Sequence, residues 1–122
     1  MKIHALVVDD MRDKADSLCR RLYLRNIQPT PVYSSRAAIL FMNEQTPEIV
    51  FMDLNMPGMG GMEVISYMQR EPRLAEVPVV VVTSDDQPQT AQRAWDLGVR
   101  EILVKPVQYE VIEQVLKKLG LL

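Results

Sequence analysis

Apolar runs of strand length alternate with longer stretches of helical spacing along the whole chain, and a small set of polar residues stops each run. Residues 5–8 are unbroken apolar sequence ending at Asp9 and Asp10. Met11, Ala15, Leu18 and Leu22 then recur at helical spacing, predicting a helix over about 12–25 with Asp10 placed to cap its first turn. Residues 27–33 read as a strand, and Pro29 and Pro31 put it at a sheet edge. Ser34 or Ser35 can cap a second helix with Ala37, Leu40 and Phe41 as its apolar face, closed by Thr46-Pro47. Residues 49–52 are apolar throughout, as in a strand covered on both faces, and stop at Asp53.

The loop Asn55-Met56-Pro57-Gly58-Met59-Gly60-Gly61 leads into a helix bearing Val64, Ile65 and Met68. A strand over 79–82 stops at Thr83 and Ser84. The next helix starts near Pro88, carries Ala91, Ala94 and Trp95 on one side, and ends at Gly98. Residues 101–104 form a last strand stopped by Lys105-Pro106, and Ile112, Val115, Leu116 and Leu119 line one face of a final helix.

Five strand-helix pairs with short connections imply an α/β fold with right-handed crossovers and helices on both faces of a parallel sheet. The flavodoxin-like, doubly wound (βα)5 order 2-1-3-4-5 fits, because the proline-bearing second strand belongs at an edge. That order sets the topological switch between strands one and three, which end at Asp9, Asp10 and Asp53. Three carboxylates, the Thr83-Ser84 hydroxyls and the Lys105 ammonium then converge at one edge of the sheet.

Composition narrows the class. With 122 residues, 48% of them hydrophobic, the chain suits a single domain over 1–122 with its own core. Sixteen acidic against fourteen basic residues, without runs of like charge, provide no footprint for nucleic acid. Cys19 is the only cysteine and reads as a small core hydrophobe, in keeping with a reducing cytoplasm. Neither a signal peptide nor a membrane-inserting span is legible. His4 lies five residues before Asp9, roughly 17 Å of extended strand away, at the wrong end of the sheet to take part. Lys117-Lys118 reads as a solvated helix face.

Taken singly, each polar residue has a plain structural reading. Asp10 is a good helix cap, Asp53 can end a strand, Asn55 can hold a turn, and Thr83-Ser84 can cap a helix. Clustering is what these roles do not require. Two like charges about 4 Å apart repel by roughly 4 kcal/mol at the effective dielectric of such sites, so a carboxylate trio calls for a cation. Oxygen ligands without His or Cys select a hard one, Mg²⁺ first, with Mn²⁺ or Ca²⁺ as substitutes. Three carboxylates against Mg²⁺ and Lys105 leave a formally neutral site that can receive a phosphoryl group, with Asp53 as nucleophile.

The chain resembles the receiver domain of two-component response regulators, of the chemotaxis-regulator type. The likeness rests on Leu6-Val7-Val8-Asp9-Asp10, on Asp53-Leu54-Asn55-Met56-Pro57-Gly58-Met59-Gly60-Gly61, on Val82-Thr83-Ser84 and on Leu103-Val104-Lys105-Pro106. It implies that Asp53 accepts a phosphoryl group from a phosphohistidine on a sensor histidine kinase or a histidine phosphotransfer protein. Asp9, Asp10, the Asp53 carboxylate and the Asn55 backbone carbonyl would hold Mg²⁺. Lys105 would pair with Asp53, the Thr83 hydroxyl would move toward a phosphate oxygen, and Pro106 would follow a cis bond that aims Lys105. Asn55 and Asp85 would flank the water that removes the phosphate.

Two positions depart from the family pattern. Ser84 stands where a small Ala is common. Ile102 stands where the family usually has Tyr or Phe, which bears on how the site is coupled to the surface and leaves the phosphorylation chemistry intact. The implied activity is a signalling switch that catalyses only its own phosphoryl uptake and loss. Its output would be a shift of the fourth helix, fifth strand and fifth helix toward a protein partner or a second copy. A Mg²⁺-dependent aspartyl-phosphate phosphatase is the enzymatic alternative, but such enzymes carry an acid two residues after the nucleophile, where this chain has Asn55. A receiver-like binding module that is never phosphorylated is the third reading.

Overall fold

The sheet is built from apolar runs whose alternate side chains enter two different cores. A computed structural model describes residues 2–122. The strands are β1 (Ile3–Val8), β2 (Ile27–Val32), β3 (Ile49–Met52), β4 (Val79–Thr83) and β5 (Glu101–Val104). The helices are α1 (Arg12–Tyr23), α2 (Ser35–Glu44), α3 (Gly61–Arg70), α4 (Pro88–Asp96) and α5 (Tyr109–Lys118). All pairings are parallel and the order is β2-β1-β3-β4-β5, as the edge prolines predict. Pro29 and Pro31 lie two residues apart and so share one side of β2, opposite Ala5 and Val7, where the missing N–H groups do not interrupt the ladder.

Period-two alternation sorts the side chains. Leu6, Val8, Val50, Met52, Val79 and Val81 pack with Ala38 and Met42 of α2, Met62 to Met68 of α3, and Ala94 of α4. Ala5, Val7, Ile49, Phe51 and Val80 pack on the other face with Ala15, Cys19 and Leu22 of α1 and Ile112, Val115 and Leu116 of α5. Burying each Leu, Ile or Phe of this size contributes about 1.5–3 kcal/mol. Because β1 and β3 are clamped between these layers, the residues that follow them are held with little freedom.

Several helix details differ from expectation. α1 ends at Tyr23, two residues before Arg25. Its N-cap is Met11, and Asp10 does not cap it. Ser34 caps α2 by accepting the Ala37 N–H, and the buried stripe is Ser35, Ala38 and Met42, leaving Leu40 exposed. On α4 Trp95 is 45% exposed although Ala94 is buried, because adjacent helical residues point about 100° apart. Gly98, with φ of 88°, ends α4 as expected, its conformation being one that glycine adopts without strain.

Cys19 lies in the α1–α5 core, where burial pushes its thiol up to about 11, the Asp16 charge adds to the shift, and Arg20 opposes it. At pH 8 the thiolate fraction then falls from about a quarter in the unfolded chain to about one in a thousand. Iodoacetamide should therefore label native protein at least about a hundredfold more slowly than urea-unfolded protein. Comparable rates would mean that this core opens readily.

Candidate functional site

β1, β3, β4 and β5 each end at a polar residue at one edge of the sheet, where Asp9, Asp10, Asp53 and Lys105 line one depression. Asp9 follows β1, Asp53 follows β3, Thr83 closes β4 and Lys105 follows β5. The backbone fixes them across the sheet: the Asp9 N–H donates to the Val32 carbonyl at 3.2 Å, the Asp53 N–H to Val8 at 3.0 Å, and the Lys105 N–H to Thr83 at 2.8 Å. Asp9 and Asp53 are each only 6% exposed and Thr83 is fully buried. Asp10 is half-buried.

One carboxylate oxygen from each of Asp9, Asp10 and Asp53 lies within 4.8 Å of the others. Three hard, anionic oxygens converging at that spacing suit a small divalent cation such as Mg²⁺, and burying them without one opposes folding. Asp10 offers one of its oxygens to this cluster and does not cap α1. The first free N–H there, that of Met11, is instead accepted by Asp9 Oδ1 at 3.0 Å. The Asn55 N–H donates to Asp53 Oδ1 at 3.3 Å, and Asn55 itself is exposed beside the cluster.

Lys105 contacts both strand-end carboxylates, but not with the emphasis the sequence suggests. Its Nζ lies 2.8 Å from Asp9 Oδ2 and 3.6 Å from Asp53 Oδ2, so Asp9 is the closer partner and Asp53 keeps a freer oxygen. Burial works to lower the Lys105 pKa, but the Asp9 hydrogen bond and the two carboxylate charges outweigh it and hold the ammonium above its ordinary range. The Asp53 carboxyl is pushed up, chiefly by burial and further by the Asp9 charge, against Lys105, the Asn55 N–H and the Thr83 hydroxyl, which pull it down. The Lys105-Pro106 bond is cis.

The remaining expected residues are distributed less uniformly. Ser84 is exposed on the rim of the same depression. Ile102 is half-buried, paired with Val81, and packs into the core on the α2–α3–α4 side. Asp85 is turned toward α4: its Oδ1 accepts the Gln87 N–H and its Oδ2 the Thr90 hydroxyl, both at 2.9 Å. The Asp85–Thr90 contact went unpredicted; a polar pair five residues apart across a helix start is its sequence signal. The depression itself opens into a cavity of about 580 Å³ that runs between α1 and α5, past Lys14, Leu18, Arg21, Val107 and Tyr109. The His4 N–H bonds to Glu48 at the opposite end of β1, away from the cluster.

Comparison with known proteins places this geometry. Residues 5–117 match the model of the response regulator receiver domain. A two-component response regulator of Oryza sativa subsp. indica, ORR8, is 30% identical over 115 residues, covering 93% of this chain and 95% of that one. The crystal structure of a response regulator receiver protein from Pseudomonas putida superposes with a TM-score of 0.91 at 26% identity, over 97% of this chain and 98% of that one. The chemotaxis protein CheY4 of Vibrio cholerae shares the fold at 21% identity, with a TM-score of 0.91 and the same coverage. With its five-stranded order, its strand-end residues and a family match over nearly its whole length, the chain belongs to the response regulator receiver domains.

Proposed function

We propose that this chain is a phosphorylation-controlled switch in which Asp53 accepts a phosphoryl group from a phosphohistidine on a sensor histidine kinase or histidine phosphotransfer protein. The observation that carries this reading is the buried Asp53 carboxylate, grouped with Asp9 and Asp10 and only 3.6 Å from the Lys105 ammonium. Asp9, Asp10, Asp53 and the Asn55 carbonyl are the groups that would hold Mg²⁺, which supplies positive charge against the phosphoryl oxygens.

Asp53 acts as the nucleophile. One of its carboxylate oxygens forms the new bond to phosphorus while the P–N bond to the donor imidazole breaks and its electron pair leaves with the ring nitrogen. Lys105, already charged and anchored on Asp9, is positioned to take up a phosphoryl oxygen, and the Thr83 hydroxyl to donate to another. Asn55 keeps this from being a phosphatase site, since its amide supplies no acid two residues after the nucleophile. The cavity that reaches Asp53 from between α1 and α5 is the side from which a donor side chain would approach.

Acetyl phosphate with Mg²⁺ should add a single phosphoryl group, found by intact-protein mass spectrometry and mapped to Asp53 after borohydride reduction. Chelation of the metal should slow labelling at least about tenfold. Labelling that maps elsewhere, or that is indifferent to chelation, overturns the reading.

A further inference from the structure

A continuous polar path leaves the site along the segment that enters α4. Thr83, fully buried at the end of β4, accepts the Asp85 N–H on its Oγ1 at 3.3 Å. The Asp85 carboxylate in turn accepts the Gln87 N–H and the Thr90 hydroxyl, both at 2.9 Å. Gln87, the N-cap of α4, does not cap it with its own side chain. Asp85 therefore does the work of a cap from two residues upstream, and its charge favours the positive end of the helix.

Little else holds that end of α4. The helix has nine residues, too few to be stable alone, and it buries Ala94, with Thr90 and Ala91 half-buried. Ile102, which packs into the core on the α4 side, has no polar atom with which to join the path. The hydrogen bonds through Asp85 are thus the specific connection between the site and the first turn of α4.

We propose that Asp85 is a positioning residue that ties the first turn of α4 to the Thr83 hydroxyl, forming a polar relay Thr83–Asp85–Thr90 that carries the state of Asp53 to α4. The proposal rests on Asp53 being the phosphoacceptor. A phosphoryl group on Asp53 sets its oxygens beyond the carboxylate that the Thr83 hydroxyl already faces, and when the hydroxyl follows them its oxygen moves away from the Asp85 N–H, which it holds at a long 3.3 Å. The residue 84–86 backbone then settles in a new position, and Asp85 carries Gln87 and Thr90 with it. A stiff Ile102 only has to repack beneath.

The experiment uses the full chain with beryllofluoride and Mg²⁺ as the phosphate mimic, reading Trp95 fluorescence and amide exchange over residues 88–98. Acetyl phosphate labelling of Asp53 is followed in parallel. Thr90→Val keeps the shape of Thr90 but removes its hydroxyl. It should reduce the α4 response at least about threefold while labelling stays within about twofold of the parent, and Thr90→Ser should restore the response. Asp85→Ala should lose the α4 response as well, and Asp85→Asn, which can still accept the Gln87 N–H and bond Thr90, should keep most of it. A merely structural role for Thr90 would loosen α4 equally with and without the mimic, leaving the difference intact. A full response in Thr90→Val, or a parent whose α4 does not respond although Asp53 is labelled, overturns the relay alone. Failure of the parent to label overturns the phosphoacceptor reading and the relay with it.

Discussion

Asp53→Asn is expected to abolish labelling by acetyl phosphate, slowing it at least about a hundredfold, and yet to unfold at a higher temperature than the parent when no divalent cation is present. The first effect follows from replacing the anionic oxygen by an amide, which cannot displace a leaving group from phosphorus. The second follows from what the native fold does to the carboxyl. Burial is the largest influence on Asp53 and raises its pKa, and the opposing Lys105 charge does not cancel it. The native protein therefore holds this proton more tightly than the unfolded chain. Its contribution to stability is present below the unfolded value of about 3.9 and is lost as pH rises through the raised native value. As pH rises above the unfolded value the carboxyl increasingly works against the fold, whereas an amide of the same shape does not titrate.

The difference in melting temperature between variant and parent should accordingly be small near pH 4 and widen as pH rises toward neutrality. Added Mg²⁺ should reverse the order, because a ligand that binds only the native site raises the parent's melting temperature by mass action. Asp9, at 2.8 Å in the parent, is the nearer partner of Lys105 and remains in the variant, so the substitution does not leave the ammonium without a carboxylate. A variant that melts below the parent at pH 7 without metal would show that Lys105 already compensates for the buried charge.

The strands were legible because a parallel strand covered on both faces is an uninterrupted apolar run, and its stopping residue marks the edge of the sheet. Asp9, Asp53, Thr83 and Lys105 could be gathered from that rule alone, and Pro29 with Pro31 identified the edge strand. Short helices were less readable. The ten residues of α2 carry apolar side chains on more than one face, and only packing selects Ser35, Ala38 and Met42 over Leu40. Trp95 follows a buried alanine, yet nothing in a nine-residue helix says which side of that alanine meets the sheet. Side-chain partners were the least legible. Whether Lys105 rests nearer Asp9 or Asp53 turns on 2.8 Å against 3.6 Å, and whether Asp85 faces water or Thr90 turns on a rotamer. Composition and spacing do not resolve differences of that size.

Gly61→Ala should be the most damaging addition of a single methyl group near the site. A Cβ on Gly61 would stand 2.3 Å from the Asp53 carbonyl oxygen, 2.9 Å from the Leu54 Cα and 3.1 Å from the Asp53 carbonyl carbon. All three are backbone atoms, and the Asp53 backbone is pinned to β1 by its N–H bond to Val8 at 3.0 Å. Relief therefore has to come from α3, which buries Met62, Val64, Ile65 and Met68 and can retreat only by opening the core beneath it. Overpacking against an immobile backbone costs about 3 kcal/mol, which in a domain of this size lowers the melting temperature by about 10 °C. Neighbouring glycines calibrate the effect. At Gly60, with φ of −82°, a Cβ meets the end of the flexible Glu63 side chain at 3.0 Å and the Leu54 carbonyl at 3.3 Å, so Gly60→Ala should cost less than about 1 kcal/mol. At Gly58 the surroundings are open but φ is 75°, so Gly58→Ala should cost about 1 kcal/mol through backbone strain alone. Because the clash bears on the residue that holds the candidate nucleophile, Gly61→Ala should also label more slowly at temperatures where it is still folded. Gly58→Ala should label at the parent's rate. A Gly61→Ala protein that melts within about 2 °C of the parent would mean that α3 can move off the Asp53 backbone without penalty.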